Sequence, residues 1–358
     1  AENQTEVGSV TASDADGDSI SYSVSGTDLS VNSEGVLTFS TAPDYEATTS
    51  FTATITATDG TFSDTQNITV NVTNIDDVAP VITSSASFSA AENQTAVGTV
   101  TATDVDSSSI SFSFAGEGLS MSTSGVLTFS TAPDFETQSS YSGTVTATDG
   151  INSSTQSITV TVTNVNEAPV FTSGTLYDAD ENQSAIGDVV ATDVDSSSLT
   201  YSVSGSELSM TAGGVLTFVA EPDYETKTSY TATVTVTDGG LSASQPITVT
   251  INNLNDNSPV FTSSTSFSSD ENQTAIATLA ATDADGDSPT FSVSGSELTV
   301  TSGGVLTFAS EPDYETKTSY TATVTANDGA NSTTQDITIN VNNLNDNDPV
   351  FSTGATFS

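Results

Sequence analysis

The sequence repeats itself. The triplet "ENQ" begins at Glu2, Glu92, Glu181 and Glu271, at steps of 90, 89 and 90 residues. Other landmarks keep step with it. Asp14, Asp104, Asp193 and Asp283 lie 12 residues after their Glu, and Asp44, Asp134, Asp223 and Asp313 lie 30 further on. Asp59, Asp149, Asp238 and Asp328 follow after another 15, and Asn74, Asn164, Asn253 and Asn343 after 15 more. Internal repetition decides the architecture before any residue-level reading. A unit of about 90 residues fits one β-sandwich of roughly seven short strands.

The local pattern agrees. "FTATITATD" (51–59) alternates Phe51, Ala53, Ile55 and Ala57 with Thr, and "ITVNVTN" (68–74) alternates Ile68, Val70 and Val72. Period two is the signature of half-buried strands, and no stretch has helical periodicity, so the fold class is all-β. The recurring Phe39, Phe129, Phe218 and Phe308 of "VLTF" are expected in the core. Eight of the ten prolines recur at two repeat positions, where they punctuate strands. One length change separates the copies. Asn164 to Pro169 spans five residues where Asn74–Pro80, Asn253–Pro259 and Asn343–Pro349 span six, which places this segment at a domain boundary. The units are expected at 1–80 (first strand truncated), 81–169, 170–259 and 260–349, with 350–358 opening a fifth. The chain reads as a piece cut from something longer.

Charge narrows the chemistry. Lys227 and Lys317 stand against 46 Asp and Glu, for a net charge of −44. Such a chain does not bind nucleic acid or an anionic membrane by charge, and it attracts cations. With no Cys and no His, thiol nucleophiles, disulfides, imidazole bases and the usual zinc ligands are excluded. Any metal is held by oxygen, which favours Ca²⁺ or Mg²⁺. No apolar run approaches the length of a membrane-spanning helix.

Five motifs recur in order in every unit. They are "ENQT", "DADGD" or "DVDSS", "PDYE" or "PDFE", "TATDG" and its variants, and an Asn/Asp-rich linker such as "NLNDNSPVF". This series resembles the cadherin repeat across all four units, which implies a tandem array of Greek-key, immunoglobulin-like sandwiches. In that family the motifs meet at domain junctions, bind up to three Ca²⁺ ions and stiffen the array. The resemblance implies one ligand set per junction. The first-to-second set is Glu2, Asp44, Glu46, Asn74, Asp76, Asp77, Asp104, Asp106 and Asp149. The second-to-third set is Glu92, Asp134, Glu136, Asn164, Asn166, Glu167, Asp193, Asp195 and Asp238. The third-to-fourth set is Glu181, Asp223, Glu225, Asn253, Asn255, Asp256, Asn257, Asp283, Asp285 and Asp328. Half-sets remain at the ends: Asp14, Asp16 and Asp59 at one, and Glu271, Asp313, Glu315, Asn343, Asn345, Asp346 and Asn347 at the other.

Elementary electrostatics supports this. The three junction sets hold eight, seven and seven carboxylates and the end sets three and four, which is 29 of the 46 acids. Two carboxylates 4 Å apart repel by about 4 kcal/mol at an effective dielectric near 20. Ca²⁺ accepts six to eight oxygens, mixed carboxylate and amide among them, whereas Mg²⁺ keeps several waters. The linker departs from the family pattern in having Asn74, Asn164, Asn253 or Asn343 where the family has Asp. Glu167 and Ala168 stand where the other linkers have an acid followed by Val78, Asn257 or Asn347. The third-to-fourth junction is therefore expected to be the best formed, and the second-to-third to bind fewer or weaker ions.

Other readings of these residues are poorer. The "DADGD" segments resemble the start of an EF-hand loop, but the bidentate Glu and the flanking helices are missing. Two carboxylates suffice for a glycosidase, yet the same pairs recur in every unit, which suits structure better than a single active site. The leading expectation is a calcium-binding, extracellular stalk segment of a bacterial surface adhesin. Its partners are Ca²⁺ and adjacent repeats of the same longer chain. The competing one is direct adhesion, homophilic or to a glycan or protein ligand. Strand exchange anchored by Trp has no anchor here, because the chain has no Trp.

Overall fold

A computed structural model describes residues 1–352 and 354. Most of the segment expected to open a fifth repeat, namely Thr353 and residues 355–358, lies outside the described residues. The chain forms two compact units, Ala1–Val165 and Asn166–Ser358. All described regular structure is β. Among the described residues no helix is long and apolar enough to cross a membrane.

The third copy of the sequence repeat shows the plan. One sheet has Leu176–Asp180, Ser242–Asn252, Ser229–Thr237 and Thr200–Val203, in that order. The facing sheet has Ala185–Asp188, Val215–Phe218 and Leu208–Met210. A further two-residue ladder joins Val170–Phe171 to Ala191–Thr192. Where about seven strands were expected, nine ladder segments occur, because the first and second strands are each broken in two. The same sheets recur around Ser87–Ala91 and Ser266–Asp270. The first copy has six segments, and its sheet Ser21–Val24, Ser50–Thr58, Ser63–Asn71 is three-stranded.

Alternation builds the core. Along Ser242–Asn252, Ile247, Val249 and Ile251 are buried while Thr250 and Asn252 face out. They pack with Leu208, Leu216, Phe218 and Val234 from the neighbouring strands. Phe218 meets Tyr230 edge to face at 5.1 Å, and Phe129–Tyr141 and Phe308–Tyr320 repeat the pair. Phe39, Phe129, Phe218 and Phe308 are buried as expected. Gly214, at φ +94°, turns the chain before the "VLTF" strand. A Cβ there would meet the Val189 carbonyl oxygen at 2.4 Å, so only glycine fits.

This plan decides where the acids go. The first and last strands of the second, third and fourth copies run parallel, so both finish at the same end of their sandwich. The conserved-in-repeat Glu follows the first strand directly and the linker follows the last. The Asp-x-Asp and Asp-Gly turns lie at the opposite end, on the loops after Ala281–Thr282 and between Ser319–Asn327 and Ser332–Asn342 in the fourth copy.

Candidate metal centre

The keystone is a buried glutamate. Glu2, Glu92, Glu181 and Glu271 are each 2–3% exposed. Each accepts two backbone N–H bonds, one on each oxygen. Glu181 takes Leu254 N–H and Tyr224 N–H, both at 2.7 Å. Glu2 takes Ile75 and Tyr45, Glu92 takes Val165 and Phe135, and Glu271 takes Leu344 and Tyr314. A charge-assisted bond to backbone N–H is among the stronger kinds. The carboxylate therefore ties the exit linker to the "PDYE" turn.

Around this glutamate the other acids gather. In the second unit, oxygens of Glu181, Glu225, Asp256 and Asp285 all lie within 4.8 Å of one another. In the first unit, Glu2, Glu46 and Asp77 do the same. Glu92 gathers with Asp134 and Glu136, and Glu271 with Glu315 and Asp346. Asp44, Asp223 and Asp313 stay outside these groups. They cap the turn that follows them, accepting from Ala47 N–H, from Thr226 N–H and hydroxyl, and from Glu315 N–H and the Thr316 hydroxyl.

The Asp-rich loops are shaped by their own acids. Asp104 Oδ1 accepts from Asp106 and Ser107 N–H, and Asp193 Oδ1 from Asp195 and Ser196 N–H. Asp14 does likewise with Asp16 and Gly17, and Asp283 with Asp285. Before each glycine the pattern repeats. Asp149 Oδ1 accepts from Ile151 and Asn152, Asp328 Oδ1 from Ala330 and Asn331, and Asp59 Oδ1 from Thr61 and Phe62. One oxygen of each is thus used to hold the loop. The other oxygen of Asp104, Asp149, Asp193, Asp283 and Asp328 is buried with no hydrogen-bond partner. A buried, unpartnered carboxylate oxygen is costly. Five of them, aligned with the sequence repeat, fit a hard cation with oxygen ligands.

The linker is seated on these loops by backbone N–H groups. Val78 N–H donates to Asp106 Oδ2 at 2.9 Å, and Asn257 N–H to Asp285 Oδ2 at 2.8 Å. In the third copy the donor to Asp195 Oδ2 is Glu167 N–H, at 2.7 Å. Glu167 therefore stands in the place of Val78 and Asn257. Its backbone takes the place of theirs, while its side chain still gives the linker a carboxylate, as Asp77 and Asp256 do in the other two.

Protonation reflects the crowding. Glu46 is pushed up to about 7 by the hydrogen bond it shares with Asp106, and loss of solvent adds to it. Asp76 is raised by desolvation and by Asp149. Glu225 is raised by desolvation, then by Glu181 and Asp285, and Asp283 by desolvation, then by Asp285 and Asp328. Asp238 is held low, first by the Asn166 amide and then by the Gly240 and Leu241 N–H groups.

The amides on the linkers are used in several ways. Asn253 donates to the Asp285 carbonyl, Asn343 and Asn164 donate to Glu315 and Glu136, and Asn347 donates to Asp346. Asn74 bonds Asp106, whereas Asp16 and Asn345 are exposed. Asn166 donates to Asp238 Oδ2 at 2.7 Å.

Two kinds of site residue escape the sequence reading. The Asn of "ENQ" takes a left-handed backbone, at φ 61–63°, in all four copies. Its amide donates to the linker acid, Asn3 to Asp77, Asn182 to Asp256 and Asn272 to Asp346. Its adjacency to Glu was the available signal. The second kind is Asn152 and Asn331, three residues after the Asp before glycine. Asn152 donates to the carbonyl and side chain of Asp76, and Asn331 to those of Asn255. Phe62 and Leu241 occupy this position in the other copies, so it carried no repeat signal.

With that geometry in view, the likeness to known proteins is specific. A family model described as a bacterial Ig domain (Big_9) matches residues 166–251. The human Cadherin EGF LAG seven-pass G-type receptor 1 is 32% identical over 260 residues, covering 64% of this chain and 9% of that protein. Human Protocadherin Fat 1 is 36% identical over 161 residues, 39% of this chain and 4% of its own length. Cadherin-99C of Drosophila melanogaster is 34% identical over 239 residues, 59% of this chain and 14% of its own. The chain thus spans a small part of the curated relatives it matches. Among solved structures, the protocadherin GammaB4 extracellular domain superposes with a TM-score of 0.66 at 27% identity, over 91% of this chain and 61% of that one. The five-domain structure of protocadherin Gamma B2 gives 0.62 at 25% identity, over 97% of this chain and 78% of that one. The chain is an array of cadherin-like β-sandwich repeats.

Proposed function

We propose that the chain is a calcium-binding stalk segment of an extracellular adhesion protein, divided into repeats at 1–80, 81–169, 170–259 and 260–349. The observation that carries this reading is the set of buried carboxylate oxygens without a partner, beside acids gathered within 4.8 Å. In the fourth repeat's seat, Glu181, Glu225, Asp256, Asp283, Asp285 and Asp328 are the proposed ligands, with amide oxygens of Asn255 and Asn257 beside them. Bound Ca²⁺ supplies positive charge and a demand for many oxygens. The protein's own part is to hold those oxygens in place. The buried glutamate fixes the linker, the Asx turns fix the loops, and the Asn of "ENQ" aims the linker acid. The linker leading into the third repeat is one residue short and its Asn166 amide is already committed to Asp238, so this seat is proposed to bind ions less well.

The bacterial surface adhesin is the finer part of the proposal. It rests on a composition with only two Lys and Arg among 358 residues and on the bacterial Ig-domain likeness of residues 166–251. The relatives named above are animal proteins. Small-angle scattering with and without Ca²⁺ tests the stalk. The expected result is a stiffer, longer particle with Ca²⁺, and an unchanged maximum dimension would sink the reading. Direct homophilic adhesion would instead show as Ca²⁺-dependent dimers in an ultracentrifugation series.

A further inference from the structure

This inference rests on the stalk reading and its cation seats, and concerns the residue three places after the Asp of each Asp-Gly turn. That residue is Asn152 in the second copy, Leu241 in the third and Asn331 in the fourth. The turn holds it alike in all three. Asp149, Asp238 and Asp328 each accept its N–H on Oδ1, at 2.7, 2.7 and 2.6 Å. What differs is whether its side chain can donate. Where it is Asn, the amide reaches the linker. Asn331 Nδ2 donates to the Asn255 carbonyl at 3.2 Å, to Asn255 Oδ1 at 3.1 Å and to the Asn257 carbonyl at 3.4 Å. Asn152 Nδ2 donates to the Asp76 carbonyl at 3.2 Å and to Asp76 Oδ1 at 3.3 Å. Each Asn thus clamps a linker residue 76 positions before it in the chain.

The clamp decides what happens to the aspartate of the turn. Asn166 and Asn255 stand at the same place in their linkers, two residues after Asn164 and Asn253. Under the Asn331 clamp, the Asn255 side chain lies against Asp328, yet Asp328 Oδ2 stays buried with no hydrogen-bond partner. Leu241 has no donor. Beside it, Asn166 Nδ2 donates to Asp238 Oδ2 at 2.7 Å, so both oxygens of Asp238 are used. Asp149, in the other clamped head, also keeps its Oδ2 buried and without a partner. A carboxylate oxygen already bonded to an amide has to give up that bond before it can ligate a cation. We propose that the residue three places after the turn's Asp is a positioning residue for the cation seat. An Asn there clamps the linker and leaves the aspartate open to the ion, whereas Leu241 releases the Asn166 amide onto Asp238.

The third linker is also one residue short, and a reciprocal swap in the full chain, Asn331→Leu and Leu241→Asn, separates the two differences. The first readout needs no ion. In EDTA, NMR follows exchange of the Asn side-chain amide protons with solvent. In Leu241→Asn the Asn166 amide is expected to exchange about tenfold faster as it leaves Asp238, and in Asn331→Leu the Asn255 amide about tenfold slower as it takes up Asp328. The second readout is calorimetry with Ca²⁺. Asn331→Leu is expected to weaken binding at the fourth head about tenfold, and Leu241→Asn to strengthen it at the third. Unchanged amide exchange in both variants overturns the clamp. Altered exchange with unchanged Ca²⁺ affinity overturns its role in the seat. If Asn331→Leu does not fold by circular dichroism, Leu241→Asn decides alone, since a damaged fold does not produce a gain. A wild-type chain that takes up no Ca²⁺ defeats the stalk reading and the proposal together, whereas one that binds Ca²⁺ and ignores the swap defeats the proposal alone.

Discussion

The linker seats on the second and fourth sandwiches share a backbone bond and differ most at one side chain beside it, Val78 in one and Asn257 in the other. At the second, Val78 N–H donates to Asp106, and the apolar side chain contributes nothing to the acids around it. Glu46 and Asp106 are left to share a proton, which is why Glu46 is pushed up to about 7. At the fourth, Asn257 makes the same backbone bond to Asp285, and its amide also donates to Glu225, Asp256 and Asp285. Both seats bond the Glu to the Asp, and the second adds the Asn74 amide on Asp106 where the fourth adds the Asn257 amide on both acids. The difference teaches that these acid clusters are held together in the cation-free chain by whatever donor the linker supplies.

The largest expected effect leaves that contrast intact. Glu181→Ala strands the Leu254 and Tyr224 N–H groups in a buried site. Unfolding in urea with EDTA should show a loss of about 3–6 kcal/mol, at about 1.5–3 for each of the two bonds to a charged group. A loss under 1 kcal/mol would mean that the glutamate is not the keystone. Next, Asn257→Val should convert the fourth seat into a copy of the second, weakening Ca²⁺ binding there about tenfold, the equivalent of roughly 1.4 kcal/mol. Val78→Asn should move the second seat the other way, and calorimetry that found no exchange of affinities would break the comparison.

The proton at the second seat gives a smaller, pH-dependent signal. The folded pKa of Glu46 is raised from its usual 4.5 to about 7. Its contribution to the closed, cation-free seat is complete below pH 4.5 and is lost as pH rises through about 7. Carboxyl NMR of Glu46 in EDTA should titrate near 7, and in Val78→Asn nearer the usual range. An unchanged midpoint would show that the amide does not replace the proton. Smallest of all, Lys227→Ala removes an exposed ion pair to Glu207 and a cation–π contact with Tyr230. It should cost less than about 1 kcal/mol and leave both seats unaffected in the same calorimetry.

The repeat and its strands were legible because side-chain alternation and turn residues are local signals. The acids that gather around each buried glutamate, such as Glu225 and Asp256 at Glu181, also stood out as residue types at fixed spacing. The seating of the linker was not. Counting residue types pairs Glu167 with Asp77, whereas its N–H bonds Asp195 as the Val78 N–H and, at longer range, the Asp77 N–H bond Asp106. Which N–H reaches a carboxylate depends on the path of the backbone through the gap, and that path carries no side-chain signature. Asn152 and Asn331 were hidden similarly, because a position filled by Phe62 and Leu241 elsewhere looks like an unconstrained turn.

The broken first strand has a consequence for how each sandwich comes apart. Val170–Phe171 pairs with Ala191–Thr192, and five residues later the same strand joins Ser242–Asn252 in the other sheet. The first strand thus ties that two-residue ladder covalently to the four-stranded sheet. Amide protons on both sheets of the third copy should then exchange with solvent at one common free energy, as a single cooperative unit. The three-stranded first copy, which lacks this staple in the described chain, should show its last strand exchanging ahead of the rest.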